Sequence, residues 1–502
     1  MKYEELVLSV DCSTTAAKAV VWDLSGNAIA IGKREFGLSH VKSGWIEQNS
    51  SDWWEATAGA ISDAAKMVDP SKIKGLAVTH QRETFVCLDS NGDAIRPAIT
   101  WMDIRATEEV TQYGNTSVHR KTGKPPNPTP AWYKLLWLKK HEPKTIEKTD
   151  KIVDVGGYLL HQLTGNWVTS WASADPLGLI DLSNFDYDYD LLETAEINLE
   201  QVPSLLAPGK SAGELKPEVA EQIGLTSGIP VFVGAGDGQS AGLGCNVTTK
   251  GKAYLNLGTG AVSGVYSDTY NYDTAYRTMS GPIPGTYIFE TFIGGGTQNV
   301  VWFVENLSNL NKSKEEKSPE KILEELASKV PPGSQGLLCL PYWTGAMTPY
   351  WDGHARGAFV GLSGVHTKGH LYRSILEGIA LEQRLLMEGV ENATTDRIDE
   401  IFMLGGGSNS PLWCQIISDV LGREVKLVAE QESTALGAGI HAATGLKFFS
   451  DHQGAAKAMT GIKGEYQPQN KNSEYYSKLF TVYKSIYPNL KGTYQLLSEI
   501  PS

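Results

Sequence analysis

Short apolar runs separated by small polar turns dominate the start of the chain. Residues 6–10 are apolar except for Ser9, residues 11–16 are small and polar, and residues 18–22 turn apolar again. Two β-rich runs joined by a short turn predict a hairpin that opens a domain. The same order returns far downstream, where residues 253–257 lead through Gly258-Thr259-Gly260 into the apolar run 261–266. The chain therefore reads as two related halves, each headed by strand, tight turn and strand, at a spacing far longer than a solenoid repeat.

Between the hairpins the period changes. Residues 51–67 carry Trp54, Ala58 and Ile61 at helical spacing with Asp52 placed to cap, and residues 374–390 and 412–421 also predict helices. Short buried-strand patterns fall at 73–78, 86–88, 229–233 and 401–404. Alternating strand and helix signals predict an α/β fold with helix-covered sheets. The polar connector 246–251 sets a boundary near residue 248, giving halves 1–248 and 249–502. The charged stretch 311–319 reads as a surface loop, and 475–487 as an amphipathic helix packed on the second half.

Composition narrows the classes. A net charge of −13 over 502 residues argues against non-specific nucleic-acid binding, which needs clustered cations. Five scattered cysteines, without a Cys-x-x-Cys pair, fit a reducing compartment rather than a disulfide framework or a structural zinc site. No leader or membrane-length apolar run marks the start, so the expected location is cytoplasmic, with no membrane partner and with a homodimer left open. Glycine is the outlier: 52 residues, against roughly 35 at the usual ~7%.

Those glycines fall at strand ends. The segment Asp11-Cys12-Ser13-Thr14-Thr15 offers hydroxyls and turn amides suited to an anion, with Lys18 close by to face a phosphate. Gly258-Thr259-Gly260 is a second turn of the same form, and two such turns suit a polyphosphate clamped between halves. Gly405-Gly406-Gly407-Ser408-Asn409-Ser410 follows a buried strand and permits close approach of a ligand, Asn409 or Ser410 capping the next helix; Gly294-Gly295-Gly296 is a weaker case. Neither a complete Walker A motif nor G-x-G-x-x-G occurs, since Ser204 stands where the first Walker glycine would precede Gly209-Lys210-Ser211.

Asp237 leaves a buried strand on the flexible glycine run 234–238, where a carboxylate can take a hydroxyl proton during attack on phosphorus. Thr79-His80-Gln81-Arg82-Glu83-Thr84 and Trp101-Met102-Asp103-Ile104-Arg105 supply charges, amides and an aromatic face of the kind a polyhydroxylated ligand uses. The same residues also suit duller roles: Arg82 and Glu83 a surface ion pair, Trp101 a core side chain, His80 a structural imidazole.

Together these segments, with Tyr350-Trp351-Asp352-Gly353-His354-Ala355-Arg356-Gly357 and Glu432-Ser433-Thr434-Ala435-Leu436-Gly437-Ala438-Gly439, resemble the FGGY carbohydrate kinases, in order from about residue 6 to 445. The resemblance implies two actin-like, ribonuclease-H-type ATPase domains with ATP and a sugar or polyol in the cleft between them. It implies Asp237 as general base, and Asp11, through water, together with Asp237 as carboxylates facing Mg2+. It further implies Ser13, Thr14, Thr15, Gly258, Thr259 and Gly260 on the phosphates, Gly296 near phosphates or ribose, and Gly405, Gly406 and Asn409 along the adenosine. Gln81, Arg82, Glu83, Trp101 and Asp103 would face the acceptor. Gln81 to Thr84 resembles glycerol kinases, whereas Trp101-x-Asp103-x-Arg105 and residues 134–138 resemble xylulokinases, and the balance points to a ketopentose. After the base, glycerol kinases carry Gln and xylulokinases Asn; here Gly238 follows. A nucleotide-driven regulator of the same fold would not need the acceptor-facing cluster.

Overall fold

Two large mixed sheets organise the computed structural model of the chain, described over residues 5–310 and 317–500. The first runs in the order Ser211–Glu214, Pro230–Gly236, Ile73–His80, Leu6–Cys12, Ala16–Trp22, Ala28–Glu35. The second runs Arg277–Ser280, Tyr287–Ile293, Ala261–Ser267, Lys252–Leu257, Glu400–Leu404, Val425–Val428, Ile462–Tyr466. Both are built alike. Leu6–Cys12 pairs antiparallel with its hairpin partner and parallel with Ile73–His80, just as Lys252–Leu257 does with Ala261–Ser267 and with Glu400–Leu404. The repeat predicted from the two hairpins is therefore a repeat of topology.

The central strands are buried on both faces, as sheets covered by helices require. Helix Ser433–Gly445 comes from the second half but packs on the first sheet, where Ala435, Leu436 and Ile440 share a core with Val7, Val20, Trp22 and Phe232. It crosses helix Asp237–Gly244 at backbone contact: a Cβ at Gly437 would sit 2.0 Å from the Ser240 carbonyl oxygen, and one at Gly244 1.9 Å from that of Ser433. Part of the glycine excess thus serves helix packing. A smaller five-stranded sheet, containing Trp45–Gln48, Phe85–Leu88, Ala98–Ile99 and Lys151–Asp154, is inserted beside the first sheet.

Several sequence expectations shift in detail. The first helix is Ser50–Ala65 with Asn49, not Asp52, at its N-cap. Residues 475–487 lie within a longer helix, Asn470–Ser498, and of the stretch 311–319 residues 311–316 lie outside the described residues. All five cysteines are free and buried, and among the described residues no helix is long and apolar enough to cross a membrane.

Helix Asn470–Ser498 is fastened to helix Lys368–Thr394 by Glu382, whose Oε2 accepts from the Tyr483 hydroxyl at 2.6 Å and the Tyr342 hydroxyl at 3.0 Å. Burial pushes the Glu382 carboxyl up to about 7, more than the two hydroxyls draw it down. A folded-state value above the ordinary 4.5 means that this stabilisation is complete below 4.5 and is lost as pH rises through about 7. Glu382→Gln keeps a neutral acceptor for both tyrosines and should remove on the order of 3 kcal/mol of the decline in stability between about pH 5 and 8. Denaturant melts across that range test this, and an undiminished decline in the variant would contradict it.

Candidate active site

The parallel strands Ile73–His80 and Pro230–Gly236 end side by side, with Gly236 in register with His80. Gln81, Arg82 and Glu83 follow the first of these ends and Asp237 the second. Asp237 is the first residue of helix Asp237–Gly244, directly after the strand, so the flexible glycine run expected from the sequence is instead a fixed strand-to-helix junction. A carboxylate there also suits the positive end of the helix dipole. Its Oδ1 accepts from the Gly238 amide at 2.7 Å and lies 2.7 Å from Arg82 Nε.

Arg82 and Glu83 are buried and do not pair with each other, which corrects the surface ion-pair alternative. Arg82 Nη1 lies 2.7 Å from Glu290 Oε2 in the second sheet. Glu290 Oε1 in turn receives Arg277 Nε at 2.7 Å and Nη2 at 2.6 Å, and Arg277 Nη1 reaches Glu83. The result is a continuous chain: Asp237, Arg82, Glu290, Arg277, Glu83. Burial opposes the Arg82 charge, but Glu290, Asp237 and Glu83 more than offset it. Burial likewise works against the Glu290 carboxylate, yet Arg277 and Arg82 hold it down at about 2. Removing one member of such a buried set costs about 3–5 kcal/mol, although the intact set adds little net stability. Glu83 has φ 62, a left-handed conformation unusual for a non-glycine residue, and it sits where the two domains meet.

Gln81 and Asp103 hydrogen-bond within the protein. Gln81 donates to Gln48 Oε1 at 2.9 Å and accepts from Thr84 Oγ1 at 3.1 Å. Asp103 is fully buried; its Oδ1 accepts from Arg105 Nε, and its Oδ2 from Arg105 Nη2 and the Ile46 amide. Both are committed to shaping the loops beneath Trp101. Trp101 keeps a half-buried face, and its Nε1 donates to Thr14 Oγ1 at 3.0 Å, joining its loop to the first hairpin turn. The fully buried Lys134 fixes this loop by donating to the carbonyls of Thr100 and Thr129 at 2.9 and 2.8 Å. His80 is structural, as expected: buried, with Nδ1 2.7 Å from the Gln81 carbonyl oxygen and Nε2 3.6 Å from Asp154.

The glycine loops gather at one end of the second sheet. The carbonyls of the Gly258-Thr259-Gly260 turn accept from the amides of Gly296, Thr297 and Gln298 at 2.8, 2.8 and 3.2 Å. A Cβ at Gly296 would come 2.7 Å from Gly258 O, and one at Gly405, whose φ is +83°, 2.4 Å from Asn256 Oδ1. Gly406 differs, because a Cβ there would meet nothing within 4 Å. Asn409 closes the short helical turn Gly406–Asn409, and the cap of the next helix is Ser410, accepting from the Trp413 amide. In the first turn Ser13 donates its hydroxyl to the Ala16 carbonyl at 2.8 Å and Thr15 is exposed.

Lys18 pairs with Glu432, 2.6 Å away at the start of helix Ser433–Gly445. Asp11 beside it has an Oδ1 shut off from solvent and without a hydrogen-bond partner, and burial, then Asp237, push its carboxyl up to about 7 against the pull of Lys18. An unpartnered carboxylate oxygen next to a second carboxylate fits a hard cation. Among the described residues there is no group of three or more His, Cys, Asp or Glu that could hold a metal ion.

Arg277 and Glu290 escape the sequence reading because no motif contains them. The available signal was a lone Glu inside the apolar run Tyr287-Ile288-Phe289-Glu290-Thr291-Phe292-Ile293, since a buried charge demands a partner.

The arrangement agrees with what the chain is similar to. Residues 6–244 match the model of the FGGY family of carbohydrate kinases, N-terminal domain, and residues 253–446 that of the C-terminal domain. The chain is 28% identical to a xylulose kinase of Staphylococcus epidermidis over 501 residues, 99% of each protein. It is 32% identical to a glycerol kinase of Thermococcus gammatolerans over 449 residues, 87% of this chain and 88% of the relative. Two structures from Lactobacillus acidophilus, a ligand-bound xylulose kinase and a gluconate kinase, each superpose with TM-score 0.92 at 26% identity, covering 98% of this chain and 100% and 99% of theirs. With both domain models matched in order on the paired sheets that build this cleft, the chain belongs to the FGGY family of carbohydrate kinases.

Proposed function

We propose that the protein transfers the γ-phosphoryl group of ATP to a hydroxyl of an uncharged polyhydroxylated acceptor, a ketopentose such as xylulose, with Asp237 as general base. The observation that carries this reading is the placement of Asp237 at a rigid strand end, part-exposed, among buried charged groups that are all engaged. Asp237 takes the proton of the acceptor hydroxyl as its oxygen attacks the γ-phosphorus in line; the bond to the β-phosphate oxygen breaks and ADP leaves. Trp101 offers the sugar an apolar face, while Arg82 and Glu83 supply a donor and an acceptor for its hydroxyls. The amides of residues 13–15 and 258–260 take the phosphates, with Gly296 behind them and Gly405, Gly406 and Asn409 along the adenosine. Mg2+, when bound near Asp11 and Asp237, would neutralise phosphate charge. In this reading residues 1–248 carry the acceptor, the base and the first phosphate turn, and residues 249–502 bind the rest of the nucleotide. ATP as donor and five free cysteines fit a cytoplasmic enzyme.

Charge favours a neutral acceptor. Asp237, Glu290 and Glu83 outnumber Arg82 and Arg277, and the nearby Lys124 is buried against Asp175, with burial and then Arg277 disfavouring its charge. A carboxylate on the substrate would meet no unpaired cation among these groups. Glycerol or another polyol is the second reading, supported by the 32% identity to a glycerol kinase.

Two measurements test this function. Acceptor-dependent ADP release across ketopentoses, pentitols, glycerol and aldonates should be greatest with an uncharged acceptor and least with the aldonates, and Asp237→Asn should lower it by about 10²–10⁴-fold. A preferred aldonate, or an active Asp237→Asn variant, would contradict the assignment. Gly406→Ala fits the protein without collision, so it should melt as wild type yet bind ATP at least ~10-fold more weakly by titration calorimetry, as one lost close contact implies. Unchanged ATP affinity would remove the nucleotide from that loop.

A further inference from the structure

We propose that Glu290 and Arg277 are positioning residues for phosphoryl transfer: lent by the second sheet, they draw Arg82 away from a two-pronged grip on Asp237 and leave the base one free oxygen. This rests on the reading of Asp237 as base. An unopposed guanidinium beside a carboxylate pairs with both oxygens at once, and a base so held has no lone pair directed at the acceptor. Here Arg82 Nε is 2.7 Å from Asp237 Oδ1, while its Nη1 is 2.7 Å from Glu290 Oε2 and hydrogen-bonds there. The Arg82 and Gly238 contacts both fall on Asp237 Oδ1, which assigns proton acceptance to Oδ2.

Glu290 can exert this pull because Arg277, its register partner on the neighbouring strand, fixes its other oxygen. Arg277 is itself tied to Glu83, immediately after Arg82 in the chain. The loop of charges closes across the cleft, so the base is set only while both sheets are engaged. Gly238 is part of the same device. A Cβ there would come 2.7 Å from Glu290 Oε2 and 2.9 Å from Arg82 Nη2, so the Arg82–Glu290 pair occupies the space a side chain after the base would need.

The test is steady-state kinetics of Glu290→Gln, Glu290→Asp and Arg277→Lys beside Asp237→Asn, using the best acceptor of the panel. Glu290→Gln keeps the shape but loses the charge. It should lower kcat by ~10–100-fold, the scale of a small misplacement at a reacting centre, with KM for ATP changed less than about twofold. Glu290→Asp should recover part of that loss, and Arg277→Lys should lower kcat by about 3–10-fold. If Glu290→Gln does not give a cooperative melt, Arg277→Lys and Glu290→Asp decide. Wild-type kcat in the folded variants with an inactive Asp237→Asn would overturn the positioning role alone. Equal loss of kcat and ATP binding would reduce these residues to structural supports, and an active Asp237→Asn would instead sink the underlying assignment of the base.

Discussion

A guanidinium buried between two domains must be matched by carboxylates, and the design of this cleft follows from meeting that requirement for Arg82. Burial disfavours the charge, so Asp237 on one side and Glu290 on the other compensate it. Glu290 is then itself a buried anion and needs Arg277; Arg277 needs a further acceptor and finds Glu83. Each partner is forced by the one before, and the sequence of pairs crosses from the first sheet to the second and back. The conformation of Glu83 at φ 62 and the absence of a side chain at Gly238 are the local costs of fitting these groups together.

The same scaffold explains how an acidic chain receives an anionic nucleotide. With a net charge of −13 and Lys18 engaged by Glu432, attraction by the overall field is not available. In the proposed reading the repeated hairpin would supply backbone instead: one turn at the head of each sheet, the second braced from behind by the amides of residues 296–298. Glu290 stands three residues along its strand from Ile293, which pairs with Ala261 at that turn. At about 3.3 Å per residue this is ~10 Å, so the buried charge chain and the Gly258-Thr259-Gly260 turn are neighbours on one sheet. Glycine contributes twice, in the tight turns at the strand ends and in the close crossing of helices Asp237–Gly244 and Ser433–Gly445.

Local pattern carried much of this into the sequence. Both hairpins, the strands ending at His80 and Gly236, and the separate segments that carry Arg82 and Glu83, Trp101, and Asp237 are short-range features, each written within a few residues. What escaped depends on pairings that no local window contains. Arg82 meets Glu290 across 208 positions and Lys18 meets Glu432 across 414. The contacts of Gln81 with Gln48 and Thr84, and of Asp103 with Arg105 and the Ile46 amide, likewise join residues that lie apart in the sequence or on neighbouring loops. The glycines before Asp237 read as flexible because glycine permits motion, yet parallel pairing with Ile73–His80 removes it. Gly238, a mere departure in the sequence, acquires a cause only once Glu290 is seen beside it.

The most direct test is a crystal structure of the ternary complex with Mg2+, a non-hydrolysable ATP analogue and the preferred acceptor. The account predicts Arg82 still spanning Asp237 Oδ1 and Glu290, with the reacting hydroxyl within about 3 Å of Asp237 Oδ2. Arg82 released from Glu290 and paired with both Asp237 oxygens, or an acceptor hydroxyl out of reach of Asp237, would contradict it.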